Sequence, residues 1–189
     1  IELQVGELGA VRVTTEQYLK LTRKRAAANP GDGTLARVVA DACFRAGTAA
    51  MELNHFETAK KLIDEAVKSG AAVALAAPRD TAASNNAANF EGVALELAWR
   101  ARDISSATVA GRKLIDRLRT LRDSAEPSQR NAYEQWMKET EQRMVELSRA
   151  RDIADAVSAS ESVKLPEESE LLDFRAAALL KKGDLAAAR

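Results

Sequence analysis

The segment from Thr34 to Leu53 places its apolar side chains at intervals of three and four residues. Because an α-helix has 3.6 residues per turn, this spacing gathers them on one face. The same period recurs along most of the 189-residue chain, which contains only nine Gly and four Pro. Apolar residues make up 46% and aromatic residues 4%, so the core must be built from Ala, Leu, Val and Ile. The sequence therefore predicts an all-α protein.

Breaks in the helical pattern divide the chain into nine predicted helices. They cover residues 15–28, 34–53, 56–69, 81–102, 104–123, 128–149, 152–163 and 167–182, and a ninth begins at Asp184. Gly, Pro and Asn at the breaks give each helix a reason to stop; Gly70 is predicted to close the third. Residues 1–14 alternate apolar and polar, which predicts a strand or small hairpin, or the tail of an upstream region.

Four of the breaks share a pattern: a turn or charged residue, then His or Asp, a large apolar residue, two variable residues and Ala. They are "NHFETA" (54–59), "RDISSA" (102–107), "RDIADA" (151–156) and "GDLAAA" (183–188). Their apolar residues are Phe56, Ile104, Ile153 and Leu185, spaced by 48, 49 and 32 residues. A break that recurs between two helices predicts a repeated helix–turn–helix unit.

This unit resembles the tetratricopeptide repeat, in which a small residue of helix A lets helix B cross closely. Gly47 falls at that small position and Asn54 at the turn. The signature positions of helix B hold Phe56, Ala59, Ile63 and Ala66, and the last unit matches at Leu172, Ala176, Leu179 and Ala188, with Pro166 ahead of it. The resemblance implies a right-handed α-α superhelix of stacked antiparallel helix pairs; a generic helical bundle is the alternative.

The repeats are elongated and irregular. Leu95 and Met144 stand where the family has a small residue, and two spacings exceed the 34-residue unit by 14 and 15 residues. The excess either lengthens the helices by about two turns each or forms a loop over residues 71–89. The predicted domain is residues 15–189, with units at about 34–70, 88–123, 128–164 and 167–189. Since the last unit ends inside a helix, we expect the array to be truncated at its C-terminus.

The composition disfavours several function classes. Lys and Arg number 28 and Asp and Glu 28, so the net charge is zero, which is unusual for a nucleic-acid binder. Cys43 and His55 are each alone, so we expect a buried thiol and a turn residue rather than catalysis or a metal site. Neither phosphate loops nor hydrolase motifs occur, so no enzyme activity and no cofactor are predicted. No apolar run is long enough to span a membrane. We expect a soluble protein, with its compartment left open.

The resemblance implies that helix A residues line a concave groove for a protein or peptide partner. The matching positions are Asp41, Phe44, Thr48, Met51, Glu52, Asn89, Glu96, Trp99, Arg100, Lys138, Glu141 and Arg149. Trp99 beside Arg100 is a plausible pair of binding anchors, although a place for Trp99 in the core is an equal alternative.

Two further functions stay open. One is an accessory or oligomerisation domain of a larger enzyme or transport assembly, with self-association through the end repeats. The other is an acidic-ligand surface on Arg112, Arg119 and Arg122, which share one helix face. Binding of a protein or peptide remains the favoured prediction.

Overall fold

The computed structural model describes residues 5–158 and 169–182, and within these ranges it consists of seven α-helices with no strand. In chain order the helices are α1 (Val5–Ala28), α2 (Gly33–Glu52), α3 (Phe56–Ala76), α4 (Thr81–Arg100), α5 (Ile104–Ser124), α6 (Pro127–Ser158) and α7 (Ser169–Lys182). The all-α prediction is confirmed.

The first helix replaces the strand that the alternation over residues 1–14 predicts. From Val5 onward the chain is helical, and residues 1–4 lie outside the described part. The valines that suggested a strand, Val11 and Val13, are exposed. With no neighbouring strand in the described part to pair with, the backbone is satisfied by its own helical hydrogen bonds. The strand prediction is therefore wrong for residues 5–14.

Aspartates fix the start of three helices. Asp32 accepts hydrogen bonds from the backbone N–H groups of Thr34 and Leu35, and Asp80 accepts one from Ala83. Asp103 accepts one from the backbone N–H of Ser106. Each carboxylate satisfies a donor that the first helical turn leaves unpaired.

The two turns after α2 and α4 have the same structure. Asn54 and Arg102, 48 positions apart, both adopt a left-handed φ of 58°. The N–H of Asn54 donates to the carbonyl of Met51 and the N–H of His55 to that of Ala50, both at 2.9 Å. Arg102 and Asp103 repeat these bonds to Trp99 and Ala98 at 3.0 and 2.9 Å. This pattern is the Schellman motif, so the first two sequence breaks mark equivalent structural turns.

The extra length of the first unit lies in its helices. Helix α3 passes through Gly70, which the sequence predicts as its end, and continues to Ala76. Gly70 is buried, and a Cβ atom there would stand 2.6 Å from the ring of Phe90. The glycine therefore serves close packing of α3 on α4 rather than termination, and only residues 77–80, which include Pro78, connect the two helices.

The third predicted break does not exist. Helix α6 runs unbroken through Arg151 and Asp152, so the predicted helices at 128–149 and 152–163 are one helix as far as Ser158. Ala150, Ile153 and Val157 are buried at helical spacing, which keeps the apolar face continuous. The predicted unit 128–164 is therefore not a helix pair over residues 128–158, and the fourth break, at Gly183, lies outside the described residues.

The helices pack in sequence order, each on the one before and the one after. Helices α2 and α4 also touch each other, whereas no Cα atom of α3 lies within 8 Å of one of α5 in the described residues. The largest core cluster joins α4, α5, α6 and α7, and smaller ones join α1 to α4. On one side, α2 contacts α4 and an ion pair links α4 to α6, although the Cα atoms of α4 and α6, like those of α3 and α5, stay more than 8 Å apart in the described residues.

Candidate binding surfaces

The side formed by α2, α4 and α6, here called the even-helix face, is tied together by ion pairs. Arg100 of α4 contacts Glu52 of α2 at 3.1 Å and Glu96 of its own helix at 2.8 Å. Arg143 of α6 contacts the second carboxylate oxygen of Glu96 at 2.8 Å. Its guanidinium also lies 4.4 Å from the ring centre of Trp99. The face therefore carries a chain of alternating charges across three helices.

The charges of this chain compensate one another. Burial raises the pKa of Glu96, but hydrogen bonds and charges from Arg100 and Arg143 outweigh it, so the pKa lies below its ordinary value. The hydrogen bond that Arg100 donates to Glu96 is the main reason that the pKa of Arg100 is raised. Both groups stay ionised at neutral pH, and little net charge remains to attract a ligand.

The groove residues predicted from the sequence belong to α2, α4 and α6, but they differ in burial and in the contacts that they already make. Trp99 and Met51 are only 4% and 3% exposed. Phe44 is half-buried with its ring centre 4.9 Å from that of Phe90. Asn89, Lys138 and Arg149 are exposed, whereas Asp41 pairs with Arg45, the Thr48 hydroxyl donates to the Phe44 carbonyl, and Glu141 reaches 4.0 Å from Arg119 of α5. The large apolar side chains thus serve the core and the exposed positions are polar.

A cavity lies on the opposite side of the described part. It occupies about 1030 Å³ between α3 and α5, with α4 as its floor, and we call it the odd-helix cleft. The apolar side chains that line it include Phe56, Ile63, Val67, Ala94, Leu97, Ala98, Ile104, Val109, Ala110 and Phe174. None of these belongs to the predicted groove. Val109, in the α5 wall, is 53% exposed, so the cleft opens to solvent.

Two polar contacts hold the walls and floor of this cleft. Glu91, buried in the floor, accepts two hydrogen bonds from Arg117 of α5, at 2.7 and 2.8 Å. Lys60 of α3 spans the gap to the Ser106 hydroxyl at 3.1 Å and to Asp103 at 3.7 Å. Burial raises the pKa of Asp103, but the bonds from Ser106 and the charge of Lys60 outweigh it, so the pKa is lowered. The cleft is therefore preformed by bonded groups on three helices.

A smaller cleft of about 500 Å³ separates α1 from α3. The Arg23–Glu65 ion pair crosses it, and the Cys43 sulfur lies behind, 3.8 Å from Arg23. Burial, aided by Glu65, raises the pKa of the Cys43 thiol to about 12. The thiol is buried, as predicted, and stays protonated at neutral pH, which makes it a poor nucleophile.

The basic face of α5, predicted as an acidic-ligand surface, is partly neutralised by ion pairs. Arg119 pairs with Asp116 at 3.0 Å and Arg122 with Asp123 at 2.8 Å. Arg117, from the same helix, points away to Glu91. Two of the three arginines of the predicted acidic-ligand surface are thus paired, whereas Arg112 is exposed and has no ion-pair partner among the described residues.

The described residues contain no cluster of three or more His, Cys, Asp or Glu side chains that could hold a metal ion. None of the described helices is both long and apolar enough to cross a membrane. Comparison of the chain with protein-family models, curated proteins and solved structures finds no match. The resemblance to tetratricopeptide repeats accordingly stays a prediction.

Sequence reasoning missed the odd-helix cleft, although part of its lining has a visible pattern. Glu57, Lys60, Asp64 and Val67 follow one another at intervals of three and four on one face of α3. This spacing predicts that the four residues share one face of α3. It does not predict that α5 is separated from this face, because that separation depends on how α3, α4 and α5 pack.

Proposed function

We propose that this chain is a non-catalytic module that binds a segment of a partner protein in the odd-helix cleft. The observation that carries the proposal is the cleft itself: a preformed cavity of about 1030 Å³ with an apolar floor and an open side. Ligand sites are typically preformed apolar concavities with a few polar groups. Binding of a protein partner is the function that the sequence favours, but the proposed binding surface is the odd-helix cleft and not the predicted groove.

We choose this cleft over the even-helix face because the two surfaces differ in the charges and the apolar side chains that they leave available to a partner. On the even-helix face, the charges of Glu52, Glu96, Arg100 and Arg143 are paired with one another. In the odd-helix cleft, Val109 is 53% exposed, and the half-buried apolar residues of the lining include Phe56, Val67, Ala94, Ile104 and Ala110. Covering apolar surface is the main source of binding free energy.

The proposal includes a tetratricopeptide-like stacking of helix pairs. Its support is the identical turn at Asn54 and Arg102, together with helices that pack in sequence order. In such arrays each unit covers the apolar face of its neighbour and leaves extended surfaces for partners.

The test is site-specific photo-crosslinking in cells. A photoreactive amino acid at Val109, 53% exposed in the cleft, is compared with the same residue at Val145 of α6, which is 55% exposed and does not line the cleft. We expect one specific protein to be captured from position 109 and not from 145. Capture from 145 alone would move the function to a surface outside the cleft, and capture from neither would contradict the proposal.

A second candidate is self-association or docking of the module through α1. Val11, Tyr18 and Leu21 are exposed apolar residues at intervals of seven and three along this terminal helix. A Leu21→Lys variant would then change the mass measured by light scattering at high protein concentration. An unchanged mass for wild type and variant across concentrations would remove this candidate.

A further inference from the structure

The charged side chains at the rim of the odd-helix cleft differ between its two walls. On α3, Glu57 and Asp64 are exposed, lie seven residues apart, and have no ion-pair partner among the described residues. Lys60, which lies between them, is engaged by Asp103 and Ser106. Asp155, at the α6 end, adds a carboxylate that has no ion-pair partner among the described residues. The α3 wall therefore presents free negative charge.

The other charges of the cleft are compensated or few. Glu91 is bound by Arg117, and Arg102 by Asp173. Lys113 on α5 is the one lining cation without a partner among the described residues. Among unpaired lining groups, carboxylates thus outnumber ammonium groups, and two of them stand on the same wall.

The shape of the cleft selects the conformation of its occupant. The described part of the chain has no strand, so it offers no sheet edge for an extended peptide. Phe56 and Phe174 are the only aromatic residues in the lining, too few for the aromatic grooves that hold proline-rich segments. What remains is an apolar depression between α3 and α5 that Lys60 bridges at one point, and an amphipathic helix can cover it by lying over that bridge.

The α3 wall also sets the length of the contact. The lining residues of α3 run from Glu57 to Val67, and ten residues of helix rise about 15 Å. An occupant helix lying along this wall would make contact over about three turns. Side chains at intervals of three and four would then meet the partly exposed apolar residues of the lining, which include Phe56, Val67, Ala94, Ile104, Val109 and Ala110.

We propose that the odd-helix cleft binds a short amphipathic helix of a partner protein that has an apolar stripe flanked by basic residues. The apolar stripe covers the floor, and Lys or Arg of the flank pair with Glu57 and Asp64. This inference rests on the proposed function, because it names the class of partner for the same cleft.

The test uses three synthetic 15-residue helical peptides that share one leucine stripe and differ in their flanks, which are all Lys, all Gln or all Glu. Affinities are measured by fluorescence anisotropy at low and high salt. We expect the Lys peptide to bind at least tenfold more tightly than the Gln peptide, with the Glu peptide weakest. The advantage of the Lys peptide should shrink at high salt, since the carboxylates are exposed.

Charge reversal locates the effect. In the double variant Glu57→Lys, Asp64→Lys we expect the order of the Lys and Glu peptides to invert. The matched control is Glu126→Lys, Glu134→Lys, which makes the same change of charge at exposed positions outside the cleft. This control should keep the wild-type order with at most a small loss for the Lys peptide.

Equal affinities for the three peptides, or the same inversion in the control, would overturn the inference. Its failure can be told apart from failure of the proposed function. If crosslinking at Val109 captures a partner segment that is acidic or non-helical, the choice of partner is wrong and the module still binds there. If position 109 captures nothing and no peptide binds, both proposals fail.

Discussion

Gly47 of α2 lies directly against Ile63 of α3. A Cβ atom at position 47 would stand 2.7 Å from Cδ1 and 2.8 Å from Cγ1 of Ile63, closer than carbon atoms can approach. At the positions 48 residues later, the sizes are exchanged: a Cβ at Gly111 of α5 would be in ordinary contact with Cδ1 of Leu95 of α4, at 3.7 Å, and would clash with the sulfur of Met144 of α6. The two crossings thus use the same positions with the small residue on opposite helices.

The first prediction concerns this crossing. Gly47→Ala forces a methyl group against Ile63, which is fully buried and cannot move away. We expect a loss of about 1–3 kcal/mol in the free energy of unfolding, measured by urea denaturation, from overpacking. Gly47→Leu and Ala59→Leu, also at fully packed positions of α2 and α3, should lose at least as much.

The control for this prediction is Gly33→Ala, at the start of the same helix. A Cβ atom at position 33 meets nothing within 4 Å, so this variant should be neutral or slightly stabilising. In a double variant, Ile63→Val removes the Cδ1 atom that clashes and should recover part of the loss caused by Gly47→Ala. Equal stabilities of the two alanine variants would contradict the close crossing.

The second prediction compares the two left-handed turn residues. Asn54→Gly removes the cost of a side chain at φ 58° and should stabilise the protein by a few tenths to about 1 kcal/mol. Arg102→Gly should destabilise it, because Arg102 also pairs with Asp173 and lies 5.0 Å from the ring centre of Phe174. Thermal unfolding of both variants gives the comparison, and stabilisation by Arg102→Gly would show that these contacts contribute little.

The repeated letters "ARDI" explain why the sequence predicts only part of this fold. At 101–104 they form a turn, in which Asp103 caps α5 by binding the backbone N–H and the hydroxyl of Ser106. At 150–153 the same letters lie inside α6, and the residue that corresponds to Ser106 is Asp155. Asp155 has no hydroxyl group that could donate a hydrogen bond to Asp152, so the sequence signal for a new helix start is weaker there. Because Ala150 and Ile153 are buried on the same face, α6 continues through this segment.

The candidate site was less accessible to sequence reasoning than the helices were. Apolar spacing identifies which side of α4 is buried, and it supports Trp99 either in the core or at a groove. Only the packing decides between them, because Phe174 of α7 and Arg143 of α6 come from distant parts of the chain to cover the indole. The separation of α3 from α5 is likewise a result of packing, and it cannot be predicted from the sequence of any single helix.

The third prediction concerns the ion pair in the floor of the cleft. The Glu91 side chain is 4% exposed and accepts two hydrogen bonds from Arg117. Arg117→Met leaves its carboxylate buried without a partner, which should cost about 3–5 kcal/mol in urea denaturation. The double variant Glu91→Leu, Arg117→Met removes both charges and should recover most of this loss. If the double variant is as unstable as Arg117→Met, packing rather than charge accounts for the cost.

The fourth prediction compares how much two neighbouring residues, Trp99 and Arg100, contribute to the stability of the protein. Trp99→Ala should cost about 3–5 kcal/mol, because the indole is buried and its ring centre lies 4.8 Å from that of Phe174. Arg100→Ala removes only exposed ion pairs to Glu52 and Glu96 and should cost less than about 1 kcal/mol. Thermal unfolding measures both, and wild-type stability of Trp99→Ala would contradict the core position of this side chain.

The last prediction is a pH dependence that arises from Glu96. Arg100 and Arg143 hold the pKa of this carboxyl below its ordinary value of 4.5 in the folded protein. A group with a lowered folded pKa contributes stability that is fully present above the ordinary value and is lost as the pH falls through the folded pKa. The wild type should therefore lose more stability on acidification below about pH 4.5 than Glu96→Gln, which has no carboxyl to protonate there.

Urea denaturation at pH 7, 5, 4 and 3 measures how the free energy of unfolding changes with pH. The control is Glu134→Gln, which removes an exposed carboxylate outside the network and should keep the wild-type slope. Parallel slopes for wild type and Glu96→Gln would show that the two arginines do not stabilise the ionised form of Glu96.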